Sequence, residues 1–177
     1  MKKLNILTLA FASVLSSAAF ANTGTVNFYG SISDITCDFT AEENGAQTNN
    51  VDLGTWTVAN VTGDATTAVD FALVGKDPAT GEACTTTGAT DVDITWLPAT
   101  GAWDAFGLQN TGSAQGAAVK LMDKDGASFN TVNSTVTYSL ATLTDGRLPF
   151  SAQIVKTADP VVAGTVVASA SFTVAYK

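Results

Sequence analysis

Between residues 24 and 32 the chain reads G-T-V-N-F-Y-G-S-I. Successive side chains of a strand point to opposite faces, so Gly24, Val26, Phe28, Gly30 and Ile32 share one face. Thr25, Asn27, Tyr29 and Ser31 share the other. One face is apolar apart from its glycines and the other is largely polar, the pattern of a strand lying over a hydrophobic groove. The alternation returns at the end of the chain. Val166, Ala168, Ala170, Phe172, Val174 and Tyr176 fall on one face, and Thr165, Ser169, Ser171, Thr173 and Lys177 on the other, interrupted by Val167 and Ala175. So long a strand should be central to a sheet, with something pairing along each side. Between these two stretches, short alternating runs lie among Gly, Asn and Asp clusters. They predict strands at 32–39, 51–56, 68–74, 91–96, 117–122, 134–140, 148–156 and 165–176. Segments 40–50, 76–81 and 99–116 read as loops. No apolar stretch of helical period follows residue 21, and many short strands at this spacing predict an all-β sandwich. There is no internal repeat and no sign of a second domain.

The first 21 residues have the layout of a secretory signal. Lys2 and Lys3 are followed by a mostly apolar run and then by Ala19-Phe20-Ala21, an A-x-A cleavage site, which predicts a mature start at Asn22. The run is too short for a membrane anchor. Two of the eight basic residues fall in this segment and all sixteen acidic residues follow it, so the mature chain is more negative than the −8 of the whole. Nucleic acid, which needs a basic surface, is argued against as a partner.

Cys37 and Cys84 are the only cysteines and there is no histidine. In an exported chain an isolated pair is expected to form a disulfide. A metal pair or a reactive thiol lacks support, since neither C-x-x-C nor histidine is present. The same lack leaves serine nucleophiles without an activating base, and no G-x-S-x-G occurs.

Other motifs reduce to local structure. Leu97-Pro98-Ala99-Thr100-Gly101 matches a cell-wall sorting motif, but strands rather than an apolar segment follow it, and Pro and Gly make it a turn. Asp123-Lys124-Asp125-Gly126 lacks the rest of a calcium loop and reads as a hairpin turn with Asp-Gly as its central pair. Asp91 and Asp93 lie on one strand face, expected to be solvated. Trp56, Trp96 and Trp103 are expected in core or loop packing rather than sugar stacking. Asn60-Val61-Thr62 and Asn133-Ser134-Thr135 are formal glycosylation sequons of low specificity.

Taken together, several stretches resemble the structural pilins of chaperone–usher fimbriae, the type 1 and related families. The segment 24–32 followed by Cys37 is similar to the family's donor segment running into its first strand. Val51-Asp52-Leu53-Gly54, then Val69-Asp70-Phe71-Ala72-Leu73 and Cys84, resembles its second block, and 117–126 its apolar strand ending in D-x-x-G. The end is the most specific: Gly164 lies fourteenth from the C-terminus, Phe172 follows within the strand, and Tyr176 is penultimate. Residues 76–83 form a longer stretch before Cys84 than is usual in the family. No receptor-binding domain precedes the pilin-like region, unlike a two-domain tip adhesin.

The resemblance implies an incomplete immunoglobulin-like β-sandwich, lacking its seventh strand and completed by donor-strand complementation. It divides the chain into a signal peptide (1–21), a donor extension (22–33) and a pilin domain (34–177). The donor row would be Gly24, Val26, Phe28, Gly30 and Ile32. The acceptor groove would run along Gly164, Val166, Ala168, Ala170, Phe172, Val174 and Tyr176. Implied partners are other copies and related fimbrial subunits, a periplasmic chaperone and an outer-membrane usher, with export through the periplasm to a fimbrium on the cell surface and no cofactor. The expected role is a structural shaft subunit supporting cell adhesion, not an enzyme. The alternatives are a minor adaptor pilin and a subunit that itself binds host glycan. The donor segment runs straight into the first strand at Ile32, and the about four residues from Ser31 to Asp34 span roughly 14 Å at full extension, too short to reverse the chain so that the segment could fill its own groove.

Overall fold

The structure, a computed structural model, describes residues 37–84 and 88–177. The predicted signal, the donor row from Gly24 to Ile32 and the self-complementation question all lie outside the described residues.

Among the described residues, nine strands form two antiparallel sheets. In chain order they are β1 (Asp38–Glu43), β2 (Ala46–Gln47), β3 (Val69–Lys76), β4 (Asp91–Pro98), β5 (Leu108–Gln109), β6 (Ala117–Met122), β7 (Thr135–Ser139), β8 (Arg147–Lys156) and β9 (Ala170–Tyr176). The larger sheet has the order β2-β1-β3-β8-β6-β5 and the smaller β7-β4-β9. All-β was the expectation, and the sandwich is what alternation demands: each sheet has one apolar face to hide.

Those faces meet at Trp96. Its ring makes edge contacts with Phe150 (centroids 5.3 Å), Phe172 (5.4 Å) and Phe71 (6.2 Å). Leu73, Ile94, Leu148 and Tyr138 are buried around this cluster. Tyr138 donates its hydroxyl to Pro149 O at 2.5 Å. Burial, together with the Asp123 charge, pushes its phenol well above the usual tyrosine range. Trp56 bonds Leu53 O at 2.8 Å and Trp103 packs on the core, so the tryptophans hold structure, as expected.

Cys37 and Cys84 are bonded, with Cα atoms 5.9 Å apart. The register explains why. Asp38 pairs with Lys76, a turn from Asp77 to Glu82 reverses the chain, and Cys84 N returns to Gly75 O at 3.1 Å. The long stretch before Cys84 is thus a hairpin that carries the cysteine back to its partner.

Several sequence expectations need correction. Residues 51–56 are not a strand. Asp52 accepts from Gly54 N, Gly54 takes a left-handed φ of 77°, and the chain bends instead of joining a ladder. It then enters a five-residue helix, α1 (Val58–Thr62), capped reciprocally by Thr57 and Asn60, which periodicity did not reveal. The predicted loop 40–50 contains most of β1 and all of β2, joined at Asn44-Gly45 with positive φ at both. In the Asp123 turn, Gly126 N bonds Asp123 O, so Lys124 and Asp125 are the central pair and Gly126 follows them at φ 80°. The strand expected at 165–176 begins only at Ala170, and among the described strands β9 pairs with β4 on one side. The turn at Ala99–Gly101 is found as expected, Gly101 having φ 71°.

Candidate functional site

The C-terminal stretch carries the candidate site. Register fixes which way each residue's backbone faces. Asp91 and Lys177 exchange both hydrogen bonds (2.9 and 3.2 Å), and Ala99 N bonds Ser169 O at 2.9 Å in the same register. In an antiparallel ladder such pairs recur every second residue. With Leu97 opposite Ser171, Thr95 opposite Thr173 and Asp93 opposite Ala175, the odd-numbered residues of β9 direct their amides and carbonyls to β4. The even-numbered residues direct theirs away from β4.

Side chains follow the same parity. Val166, Ala168, Ala170, Phe172, Val174 and Tyr176 all pack against the main core, yet each stays only half-buried. Thr165, Val167, Ser169 and Ser171 are exposed. These six residues therefore form one apolar row facing inward, and the even-numbered residues of β9 turn their backbone groups to the side opposite β4. The predicted acceptor residues are brought together by the fold, with one change of construction. Gly164 is exposed and stands outside the strand, where a Cβ would meet Ala114 N at 2.4 Å and Ser113 C at 2.6 Å. Its lack of a side chain permits the close passage of residues 160–167 beside 110–116.

Tyr176 closes one end of the row. Its hydroxyl donates to Cys37 Sγ at 3.2 Å, its ring lies 6.3 Å from that of Phe39, and burial raises its phenol pKa. Phe39 in turn lies over Gly75, where a Cβ would come within 2.8 Å of the ring. The outer face of the small sheet is polar and bonded. Thr95 and Thr135 share a hydroxyl bond at 2.8 Å, and Thr137 donates to Asp93 at 2.7 Å. Asp93 also pairs with Lys177. Burial alone would raise the Asp93 carboxyl, but the bonds from Lys177 and Thr137 and the Lys177 charge prevail and hold it below the ordinary aspartate value. Asp91 is engaged by Thr90 Oγ1 at 2.8 Å. Neither aspartate is arranged for catalysis, and among the described residues no group of three or more acidic or cysteine side chains is placed to hold a metal.

Sequence reasoning missed Asn110 and Ser113, which bond the 165–167 stretch. Asn110-x-Gly112 has the spacing of an Asx turn, but its link to Val167 joins residues 57 apart and leaves no local trace.

The described residues form a two-sheet antiparallel sandwich whose last strand carries a half-buried apolar row. The chain belongs to the Fimbrial protein family, whose profile matches residues 26–177. It is similar to the K99 fimbrial protein of Escherichia coli, 39% identical over 111 residues, 62% of this chain and about half (53%) of that protein's length. It is also similar to the F107 fimbrial protein of Escherichia coli, 28% identical along the whole of both chains. Among solved structures it resembles the P pilus rod subunit PapA, with TM-score 0.54 and 18% identity over 86% of this chain and all of that one. A chain from a chaperone–usher pilus structure concerned with rod uncoiling gives TM-score 0.50 and 18% identity over 88% and 96%. The chain is a fimbrial protein, and the proteins it matches are fimbrial and pilus subunits rather than enzymes.

Proposed function

We propose that this chain is a shaft subunit that polymerises by inserting the 22–33 extension of one copy along the β9 edge of the next. The supporting observation is the parity of β9: the residues whose side chains form the apolar row also direct their backbone groups away from β4. An added strand could bond to that edge and bury its own apolar face at once, which is β-strand addition, the mode of chaperone–pilin complementation. Burying Val26, Phe28 and Ile32 would contribute about 1.5–3 kcal/mol each, and each backbone bond about 0.5–1.5 kcal/mol. A durable polymer then needs no covalent link between subunits. Such an apolar edge would invite aggregation if left uncovered before assembly, which is the physical reason for a periplasmic chaperone ahead of an outer-membrane usher. Residues 1–21 direct export, and the filament displayed on the cell surface supports adhesion. Negative-stain microscopy of the purified mature protein tests the reading: filaments are expected, and a protein that stays monomeric after the chaperone is removed overturns it. The abundance of this subunit in purified filaments separates a shaft role from that of an adaptor.

A further inference from the structure

β4 cannot serve the whole acceptor row. It ends at Pro98, and the chain turns away at Ala99–Gly101, so its ladder with the C-terminal stretch stops at Ala99 and Ser169. Residues 165–168 nonetheless keep the parity of β9, with Val166 and Ala168 on the core and Thr165 and Val167 outward. The segment 110–114 takes over from β4, and it does so partly with side chains. Val167 N donates to Asn110 Oδ1 at 2.8 Å, and Val167 O accepts from Thr111 N at 2.8 Å. Thr165 N donates to Ser113 Oγ at 2.9 Å, and Thr165 O accepts from Ala114 N at 2.9 Å.

Asn110 is the joint of this arrangement. The same Oδ1 accepts from Gly112 N at 2.9 Å, and Nδ2 donates to Ala114 O at 2.8 Å. One carboxamide therefore shapes the 110–114 turn and supplies the hydrogen-bond acceptor that a strand would otherwise offer Val167. A carboxamide has an oxygen that accepts twice and a nitrogen that donates, which matches all three bonds. A carboxylate could keep the two accepted bonds only.

We propose that Asn110 is a positioning residue for the acceptor edge, holding Val166 and Ala168 in line with β9 so that the far half of an incoming strand can pair. This rests on the strand-addition reading. In an antiparallel arrangement the later residues of the incoming strand lie beside 165–169 and the earlier ones beside 170–176.

The test uses the mature chain and two synthetic peptides of its own sequence, 22–34 and the shortened 22–28. Dissociation rates are measured by fluorescence anisotropy for the wild-type subunit and for two variants. Asn110→Leu keeps volume without polar atoms, and Asn110→Asp keeps both accepted bonds. On the wild type the longer peptide is expected to leave at least about tenfold more slowly than the shorter, a difference of about 1.4 kcal/mol. Asn110→Leu should erase that difference while leaving the release of 22–28 unchanged, and Asn110→Asp should retain most of it. A difference preserved in Asn110→Leu, or lost equally in both variants, overturns the proposal. If neither peptide binds the wild type, the strand-addition reading itself fails. Hydrogen exchange of the unmodified subunit gives a check that needs no variant. The Val167 amide should be protected as strongly as those of the β4–β9 ladder, and exchange at the open-chain rate overturns the proposal.

Discussion

The hydroxyl of Tyr176 donates to Sγ of Cys37 across 139 positions of sequence. One contact thus joins the end of the apolar row to the disulfide. Tyr176→Phe should keep the ring packing against Phe39 and lose only the bond, lowering stability by about 0.5–1.5 kcal/mol. Tyr176→Asp should cost several kcal/mol, since it drives a charge into the apolar row. Urea unfolding midpoints of the two variants check the order. Equal losses would mean that the ring, and not the hydroxyl, is irrelevant to this corner.

Cross-linking residues 47 apart should stabilise the fold by about 4 kcal/mol in the chain-entropy account. Replacing both cysteines by serine is expected to lower the unfolding midpoint accordingly. Mass spectrometry of non-reduced peptides should find the Cys37–Cys84 pair in the wild type; two free thiols would contradict it.

Gly164→Ala places a methyl group 2.4 Å from Ala114 N, a backbone atom that cannot swing aside. The expected cost is about 1–3 kcal/mol, through displacement of 160–167 from 110–116. Limited proteolysis should show new cleavage in these two segments before the sheets open. A variant as resistant as the wild type would show that the passage has slack.

Asp93 is held below its ordinary pKa in the folded state, so the unfolded chain binds its proton more readily. The stability it contributes is present above the unfolded value and is lost as pH falls through the folded one. The difference in urea midpoint between wild type and Asp93→Asn should be constant near neutrality and shrink below about pH 4. A difference undiminished at about pH 2.5 would show that Lys177 and Thr137 do not act through the charge.

Phe28→Asp tests the donor side of the proposed function. A carboxylate in an apolar groove costs several kcal/mol, so the variant should not donate its strand. Its own row from Val166 to Tyr176 is unaltered, so it should still accept one. Mixed with wild type, it is expected to shorten filaments under the electron microscope in proportion to its fraction. Filaments of normal length would reassign the donor.

The strand at 91–98 was legible because inward and outward positions alternate along it; those at 69–76 and 117–122 are buried almost throughout and show as short apolar runs between turn signals. The cysteine pairing was legible because nothing else in the chain could use two thiols. Residues 51–56 misled for a definite reason. V-D-L-G-T-W alternates like a strand, but a side-chain pattern reports which face is covered, not whether backbone groups meet a neighbour. Residues 165–169 show the same limit from the other side. Val166 and Ala168 face inward as predicted, yet their neighbours bond to the Asn110 and Ser113 side chains rather than to β4. Parity is written in the sequence, and the identity of the partner is not.

Cys37 stands where the N-terminal extension would meet the body of the subunit, and this gives the disulfide a mechanical consequence. In a filament joined as proposed, tension on the extension reaches the described part of the subunit at that residue. Pulled from its end, β1 alone would unzip from β3 one pair at a time, starting at Asp38 and Lys76. The cross-link diverts the load past β1 to Cys84, whose amide is bonded to Gly75 at the end of β3. That strand is flanked by β1 on one side and β8 on the other and can share the pull along both ladders. A covalent clip at the point of attachment lets a thread of separate subunits be stretched without peeling any of them open.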